Sequence, residues 1–358
     1  MRIRKIKKLF ASPLIFARDY LLKIRPLILN ELDIGLLSQD EVISIQKNYI
    51  YLSDRLDITT DKIDVVYTWV NDSDDEWQRK IKKYKDNLNP NYENSSKERY
   101  SNSNEIFYSV RSVLKFMPWV NRIYIVTDNQ KHPDLDCEEK VEFISHSSII
   151  PEEYLPTFNS HVIEAYLHKI SGLSENFIYF NDDVFVARHL DREHFFKKND
   201  LASAFFSKKK ISNIKRITPT AKAAINSKRL LEESFKCVID SYFVHTYFPL
   251  KKSVYEFVWG NYKDEIESFL SQKFRSEKDL NLASFLVPWA SFLLGKSTAD
   301  LDICYYFNHR SAASELYWKV LLKKEVLPHS FCANDFYGGN NISKSDGLEN
   351  KLNDFYHE

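Results

Sequence analysis

The stretch "FIYFNDDVFVAR" (Phe177–Arg188) carries two adjacent carboxylates inside an otherwise apolar and aromatic run. Burying a carboxylate is costly unless it is paired or coordinates a metal. The run that precedes Asp182 and Asp183 has the composition of a buried strand. The stretch therefore predicts a strand that ends at an acid pair, and this pair is expected to bind a partner or a metal.

Three earlier segments repeat this pattern. "KIDVVYTWV" (62–70), "NRIYIVTDNQ" (121–130) and "KVEFISH" (140–146) are strand-like, and the first two pass into polar loops. "EIFYSVRSVLKFMPWV" (105–120) has helical apolar spacing, and "HVIEAYLHKISGL" (161–173) is predicted as a further helix before the last strand. Strands that alternate with helices predict an α/β fold with a parallel sheet.

Polar side chains follow several of these strands. Asn71, Asp72, Asp128 and the Asp182–Asp183 pair come where strands end, and ligands of parallel sheets bind at that edge. With only seven glycines, the chain contains neither a P-loop nor a dinucleotide fingerprint. Asp and Asn oxygens suit a hard divalent cation, which can bridge a diphosphate.

Composition bounds the class of protein. The 358 residues, 44% of them hydrophobic and 15% aromatic, suit one elaborated domain or two and argue against disorder. Lys plus Arg and Asp plus Glu both total 50, which excludes a simple polyanion-binding protein. The four cysteines are far apart and form no CxxC pair, which fits a reducing cytoplasm and suggests neither a disulfide framework nor a zinc site.

Residues 1–60 are predicted to be a basic amphipathic segment. The first 28 residues hold eight Lys or Arg against one Asp, interleaved with apolar side chains as in interfacial segments. The alternative is a solvated helix that packs its apolar side on the domain. No run is long enough to span a bilayer. The expected location is the cytoplasm, with peripheral contact at the inner face of the plasma membrane under the first alternative.

Several stretches resemble, in order and spacing, the conserved blocks of the Stealth family. The first two blocks correspond to "IDVVYTWVNDSDDEW" (63–77), "YSVRSVLKFMPWVNRIYIVTDNQ" (108–130) and "LPTFNSHVIEAYLHKISGLSENFIYFNDDVF" (155–185). The third is similar to "HTYFPLKKSVYEFV" (245–258) with "FRSEKDLNLASFL" (274–286), and the fourth to "HSFCANDF" (329–336). That family contains bacterial capsular polysaccharide phosphotransferases and the catalytic subunit of the animal lysosomal-enzyme N-acetylglucosamine-1-phosphotransferase.

The resemblance implies both a fold and a reaction. The fold would be a Rossmann-like, mostly parallel sheet flanked by helices, of the glycosyltransferase-A type, with a helical C-terminal portion. The enzyme would be a sugar-1-phosphate transferase of capsule or surface polysaccharide synthesis. It would move the group from a nucleotide-sugar donor, expected to be a UDP-sugar, to a hydroxyl of a glycan or phosphoglycan acceptor, releasing the nucleoside monophosphate. Mg²⁺ or Mn²⁺ would be the cofactor.

The resemblance also assigns roles to residues of the matched blocks. Asp182, Asp183 and Asp335 would bind the metal, although a loop-capping role is the alternative for Asp335. His245 is the candidate general base, since imidazole titrates near neutrality. Arg275 would neutralise the diphosphate, because guanidinium offers a fixed charge with paired donors.

Further residues are weaker candidates. Asp279 would orient His245 or Arg275, or else form an i,i+4 surface pair with Arg275. Arg111 and His161 would contact substrate, although Arg111 could instead pair with an acid. The predicted substrate-binding residues are Asn71, Asp72, Arg111, Asp128, His161 and Lys251. Lys251 would meet an anionic acceptor, with a solvated lysine as the alternative.

The expected organisation is a sugar-nucleotide and metal-binding half (61–206), a basic insertion (207–234), a second catalytic half (235–340) and a polar tail (341–358). Ser207–Arg229 carries eight Lys or Arg and no acid. It lacks the interleaved aromatics of a nucleic-acid site, so no nucleic-acid partner is expected. A loop that contacts a phosphate-containing glycan and a solvated insertion are the alternatives.

Two rival functions remain. A metal-dependent glycosyltransferase on the same fold would release nucleoside diphosphate, and the acid pair does not distinguish it. The other is an inactive scaffold or acceptor-binding component of a capsule assembly complex. A binding module would not need the set Asp182, Asp183, His245, Arg275 and Asp335, which argues against that alternative.

Overall fold

The computed structural model describes residues 13, 31–32, 62–85, 104–214, 217–311, 313–334 and 347–356. Nearly all of the predicted N-terminal segment 1–60 and the candidate metal ligand Asp335 therefore lie outside the described residues.

The described residues form strands that we number in chain order. They are β1 (Glu31–Leu32), β2 (Ile63–Thr68), β3 (Ile123–Thr127), β4 (Val141–Ser145), β5 (Asn176–Asn181), β6 (Val184–Val186), β7 (Ala202–Lys210), β8 (Ser241–Phe243), β9 (Phe248–Lys251), β10 (Ser297–Asp300), β11 (Ile303–Asn308) and β12 (Ser330–Asn334).

The helices are numbered in the same way. They are α1 (Asp75–Lys85), α2 (Glu105–Phe116), α3 (His146–Ile149), α4 (Ser160–Ala165), α5 (Arg192–Phe195), α6 (Pro219–Phe235), α7 (Lys252–Asn261), α8 (Lys263–Leu270), α9 (Val287–Leu293), α10 (Ser314–Lys323) and α11 (Leu348–Tyr356). Short 3₁₀ turns cover Glu152–Tyr154, Leu167–Lys169 and Ile211–Asn213, and a π turn covers Leu282–Leu286. Within the part of the chain described, none of the helices has the length and apolarity to cross a bilayer.

The central sheet has the order β4–β3–β2–β5–β9. Its first four strands are parallel and β9 runs antiparallel along β5. The chain places β3 and β4 on one side of β2 and β5 on the other, so the strand order reverses between β2 and β5. Such a switch point opens a crevice at the carboxyl ends of the strands. The predicted Rossmann-like, mostly parallel sheet is confirmed.

Both faces of the central strands are buried, as parallel strands require. Val65 and Ile178 pack with Val110 of α2 in one apolar cluster. Val66 and Phe177 face a second cluster on the other side of the sheet. This two-sided cover explains why these strands read as continuous apolar runs.

The C-terminal portion contributes helices, as expected, and also strands. Strands β1, β11, β12 and β6 form a second sheet in that order, and β10, β7 and β8 form a third. Strands from after residue 235 pair with strands that begin before residue 206, among them β9 with β5, β12 with β6, and β10 with β7. The two catalytic parts expected from the sequence therefore interlock through their sheets.

The described residues of the basic segment 207–234 lie mostly in regular secondary structure, which corrects the interpretation of the segment as a loop. Its first residues complete β7, and most of the rest forms α6, capped by the side chain of Thr218. Helix α6 buries Ala223, Leu230 and Leu231 against the core. Small and apolar residues every three to four positions place its lysines on the outer face.

Candidate active site

The acid pair lies at the carboxyl edge of the central sheet. Strand β5 ends at Asn181. The turn that follows consists of Asp182 and Asp183, and β6 begins at the next residue. Helix α2 fixes this turn through buried serines. The Ser109 hydroxyl donates to the Val184 carbonyl at 2.5 Å, and the Ser112 hydroxyl accepts from the Val186 amide at 2.9 Å.

Negative charge is concentrated at this turn. Burial and the charges of Asp183 and Glu105 raise the pKa of Asp182 well above its ordinary value. Glu105 is itself buried at the first turn of α2. The protein therefore holds three carboxyl groups where their anionic forms repel one another, an arrangement that a bound cation stabilises.

Strand β12 brings further polar groups to Asp183. Its antiparallel register with β6 sets Cys332 opposite Val184. The Cys332 thiol and the Asn334 side-chain amide each lie 3.2 Å from Asp183 Oδ2. Ligand atoms of Asp183, His245 and Cys332 all lie within 4.8 Å of one another.

These residues fit a divalent metal. The crowded carboxyl groups of Asp182 and Asp183 supply the hard oxygen ligands that Mg²⁺ or Mn²⁺ takes. His245 and Cys332 add softer ligand atoms beside them, and these would suit a transition metal better than Mg²⁺. Burial and the charges of Asp183 and Glu105 raise the pKa of Asp182, and a cation bound here would relieve the repulsion between these carboxylates.

His245, just before β9, lies between opposite charges. Burial and the Lys209 ammonium lower its pKa, and Asp183 opposes them. The His245 ring meets the Tyr306 ring edge to face, with centroids 5.0 Å apart, and the Lys209 ammonium lies 5.4 Å from the centroid of that tyrosine ring. A lowered pKa leaves the imidazole neutral at neutral pH, so that it can accept a proton.

Arg275 lies in a second polar group near the same edge. Its guanidinium donates to the Ser160 hydroxyl at the start of α4 and to the Thr220 hydroxyl of α6, both at 2.8 Å. These contacts fix one arginine between two helices. The planar donor fork is suited to phosphate oxygens.

The contacts of Asp279 differ from those expected. Its carboxylate lies 2.9 Å from Nδ1 of His161 and accepts from the side chains of Asn159 at 3.0 Å and Ser276 at 2.6 Å. The partner is thus His161, in place of His245 or Arg275, and the pair is buried. The i,i+4 surface pair is likewise not formed, because the side chain of Asp279 turns inwards while Arg275 reaches α4 and α6.

Glu164 and Tyr179 link the two polar groups, and neither residue was predicted from the sequence. Burial raises the pKa of Glu164 against the opposing influence of His161 and Arg275. The Tyr179 hydroxyl lies 3.0 Å from the Thr68 hydroxyl at the end of β2 and donates to Asn181 Oδ1 at 3.2 Å. An acid inside the apolar helix pattern "HVIEAYL" was the available signal for Glu164.

The other predicted edge residues are where the strand ends place them. Asn71 Oδ1 accepts from the backbone amide of Ser73 at 3.0 Å, and the Asn71 backbone amide donates to the Gln130 side chain at 2.8 Å. Asp72 follows in the same turn. Asp128 forms an ion pair of 3.1 Å with Lys80 of α1. Asn71 and Asp128 therefore connect loops of the edge to each other and to α1.

Arg111 and Lys251 do not join these groups. Arg111 lies on the exposed face of α2 and forms an ion pair with Glu138 at 3.1 Å. Pairing with an acid was the alternative to substrate contact for this residue. Lys251 is buried, and its ammonium donates to Asn176 and Asp200, both at 2.7 Å. Because β9 is antiparallel to β5, Lys251 lies beside the first residue of β5, at the opposite edge of the sheet from Asp182. This position does not support the predicted contact of Lys251 with an acceptor, which stays a prediction.

A mostly parallel α/β sheet with acidic groups beside its switch point is the architecture of enzymes that bind nucleotides at the carboxyl ends of strands. Residues 61–89 match the model of Stealth protein CR1, conserved region 1, and residues 99–204 match Stealth protein CR2, conserved region 2. The chain belongs to the Stealth family of phosphotransferases. The matches to a third and a fourth block stay predictions.

Curated relatives align along nearly the whole chain. The capsular polysaccharide phosphotransferase LcbA of Aeromonas hydrophila is 46% identical over 99% of this chain and 100% of its own length. The capsular polysaccharide phosphotransferase fcs1 of Haemophilus influenzae is 49% identical over 95% of this chain and 96% of its own. Among solved structures, the galactosyltransferase LgtC in complex with donor and acceptor sugar analogs aligns with 82% of this chain and 95% of its own at 9% identity, with a TM-score of 0.39.

Proposed function

We propose that this enzyme transfers a sugar-1-phosphate from a UDP-sugar to a hydroxyl of a capsular glycan or phosphoglycan. The new bond is a phosphodiester, and UMP leaves. The observation that carries the proposal is the convergence of Asp183, His245 and Cys332 within 4.8 Å beside a crowded acid pair. It occurs in a chain 46% identical, along its whole length, to a capsular polysaccharide phosphotransferase.

Each residue then has a chemical task. Asp182 and Asp183 would hold Mg²⁺ or Mn²⁺, with Asp335 as a further ligand; the ion would neutralise the diphosphate of the donor. His245, neutral at physiological pH, removes the proton from the acceptor hydroxyl. Arg275 binds phosphate oxygens from the side of α4.

The remaining predicted residues would mainly position other groups of the site. His161 and Asp279 lock the start of α4, which carries the Ser160 hydroxyl that receives Arg275. Asn71, Asp72 and Asp128 shape the nucleotide side of the crevice. Arg111 keeps a proposed contact with substrate only if substrate displaces Glu138. Residues 1–60 would hold the enzyme at the inner face of the plasma membrane, close to the growing polymer.

The nucleotide product tests the proposal. Full-length protein with Mg²⁺, a panel of UDP-sugars and a capsule oligosaccharide is expected to release UMP, identified by chromatography. Asp183→Asn and His245→Gln should each lower the rate at least about 100-fold. This is the usual scale for losing a general base, as in His245→Gln, or an electrostatic contribution at the reacting group, as in Asp183→Asn.

Matched controls separate chemistry from damage to the fold. Asp354→Asn and His189→Ala change exposed residues away from this edge and should keep wild-type rates. Release of UDP instead of UMP would refute phosphoryl transfer and establish the glycosyltransferase alternative. Full rates in the Asp183 and His245 variants would refute the assigned site.

A further inference from the structure

A second group of titratable side chains lies away from the acid pair. It consists of His194 in α5, Asp302 between β10 and β11, and His329 just before β12. Nε2 of His194 is 2.9 Å and Nδ1 of His329 is 3.1 Å from the same oxygen, Oδ1 of Asp302. The Asp302 side chain is fully buried, and the two histidine side chains are 13% and 14% exposed.

This group is separate from the candidate active site. Strand β12 carries His329 just before one end and Asn334 at the other. Five residues of extended chain, at about 3.3 Å each, set these positions about 16 Å apart. The reaction proposed above uses none of the three residues.

The hydrogen-bond acceptors of this group outnumber the donors that reach them. The Tyr247 hydroxyl donates to Asp302 Oδ1 at 2.8 Å. The backbone amide of Ile303 donates to Nδ1 of His329 at 2.9 Å, so this nitrogen has no proton for the carboxylate that it faces. Oδ2 of Asp302 is buried and has no hydrogen-bond partner among the described residues. Unsatisfied buried acceptors on a carboxylate destabilise a fold unless a cation or proton compensates.

We propose that His194, Asp302 and His329 bind a Zn²⁺ ion. Two imidazoles and a carboxylate are a common ligand set for zinc. Tetrahedral zinc with bonds of about 2.0–2.1 Å holds its ligand atoms about 3.3 Å apart. The observed separations of 2.9 and 3.1 Å therefore need to open by only a few tenths of an ångström. The ion takes the His329 lone pair that the Ile303 amide now uses, and the hydroxyl of Tyr247 orients the carboxylate from outside.

The site would be structural. It joins α5, the turn between β10 and β11, and the start of β12; β11 and β12 are neighbours in one sheet, whereas β10 belongs to another. Tyr247 follows His245 by two residues, and β12 carries Cys332 and Asn334 to Asp183. Zinc would therefore brace the two segments that bring His245 and Cys332 to the acid pair, without touching substrate.

Metal content and thermal stability test this site in the full-length protein. After dialysis against excess Mg²⁺, elemental analysis should find about one zinc per chain. Stripping with a zinc chelator should lower Tm by several degrees, and one equivalent of ZnCl₂ should restore it, since a ligand that binds only the folded state stabilises it. Absence of zinc together with a Tm indifferent to chelator and ZnCl₂ would overturn the proposal.

Variants assign the zinc to its ligands. His194→Ala and His329→Ala should lose the zinc and the Tm response, whereas the exposed neighbour His189→Ala should keep both. Asp183→Asn should also keep one zinc, because the acid pair is a different site. Zinc that is lost in Asp183→Asn and retained in His194→Ala would belong to the active-site edge and would refute the proposal.

Discussion

The protonation of His245 depends on its burial and on two charged neighbours. Burial lowers its pKa, Asp183 raises it and Lys209 lowers it, and the lowering prevails. The folded protein thus keeps the imidazole unprotonated through the neutral range. A base with this role loses activity only when the pH falls through the lowered pKa.

Replacing Lys209 with Met should shift the acid limb of the pH profile of kcat/KM to higher pH. Removing the cation lifts one of the two influences that lower the pKa of His245, so the imidazole is protonated at a higher pH. The measurement is kcat/KM for the donor from pH 5 to 9. Lys208→Met, at the neighbouring position of β7, is the matched control and should leave the limb in place. An unchanged limb in Lys209→Met would show that His245 is not the group that titrates.

Replacing Lys251 tests the contribution of its buried ion pair, at the opposite edge of the sheet, to stability. Lys251→Met leaves Asp200 and Asn176 without their shared cation. We expect a loss of about 2 kcal/mol in the free energy of unfolding, less than for a fully enclosed pair because Asp200 keeps contact with water. Urea denaturation measures it, with the exposed Lys263→Met as control. The KM for the acceptor should stay unchanged in the folded variant; a selective rise in that KM would restore the role first expected for Lys251.

At the scale of elements, helix α4 is too short to be stable by its own hydrogen bonds and is stabilised by the contact between His161 and Asp279. The helix has six residues, and its start is fixed by Asn159, which accepts from the His161 amide, and by the buried His161–Asp279 contact. Burial alone would raise the pKa of Asp279, but hydrogen bonds from His161, Ser276 and Asn159 lower it on balance. Short helices depend on such tertiary contacts because their own hydrogen bonds are few.

Asp279→Asn should therefore destabilise the protein in a pH-dependent way. A carboxylate whose folded pKa is depressed stabilises the fold above its unfolded pKa of about 3.9, and that contribution is lost as the pH falls through the folded pKa. The difference in unfolding free energy from wild type should be about 1–3 kcal/mol near neutrality and should shrink below about pH 4. Urea denaturation from pH 3 to 7 measures it. Asp354→Asn should show no such difference, and a pH-independent gap in Asp279→Asn would contradict the assignment.

At the scale of the whole molecule, the sheets join segments that are distant in the chain. Strand β9 closes one edge of the central sheet against β5, and β12 pairs with β6 next to the acid pair. The candidate active site therefore forms only when the parts before and after residue 206 fold together.

The amides of β5 and β9 should exchange with solvent through one shared opening. Strand β9 pairs with β5 at the end of the sheet, and β5 pairs with β2 on its other side. If the two parts open as one cooperative unit, β5 and β9 should report the same opening free energy in hydrogen exchange followed by mass spectrometry. Helix α11, near the C-terminal end of the described chain, is the internal comparison and should open at lower free energy. Protection of β5 that persists while β9 exchanges would show that the two parts are separate folding units.

The sequence by itself determined the parallel sheet and the edge where the acid pair lies. Apolar runs of strand length that end in Asp or Asn, separated by helical spacing, specify buried parallel strands whose polar termini share one side. This is local information, carried by periodicity and by the polar residues that stop each strand, and so the positions of Asn71, Asp128 and Asp182 were predictable.

Only the tertiary structure decided which distant groups meet. Lys251 and His245 are six residues apart, yet the antiparallel direction of β9 carries one to each edge of the sheet. Cys332 reaches Asp183, His161 reaches Asp279, and His194, Asp302 and His329 converge, each across a long stretch of chain. Such pairings depend on strand register and direction, which arise from the packing of the complete molecule and leave no spacing in the sequence from which to read them.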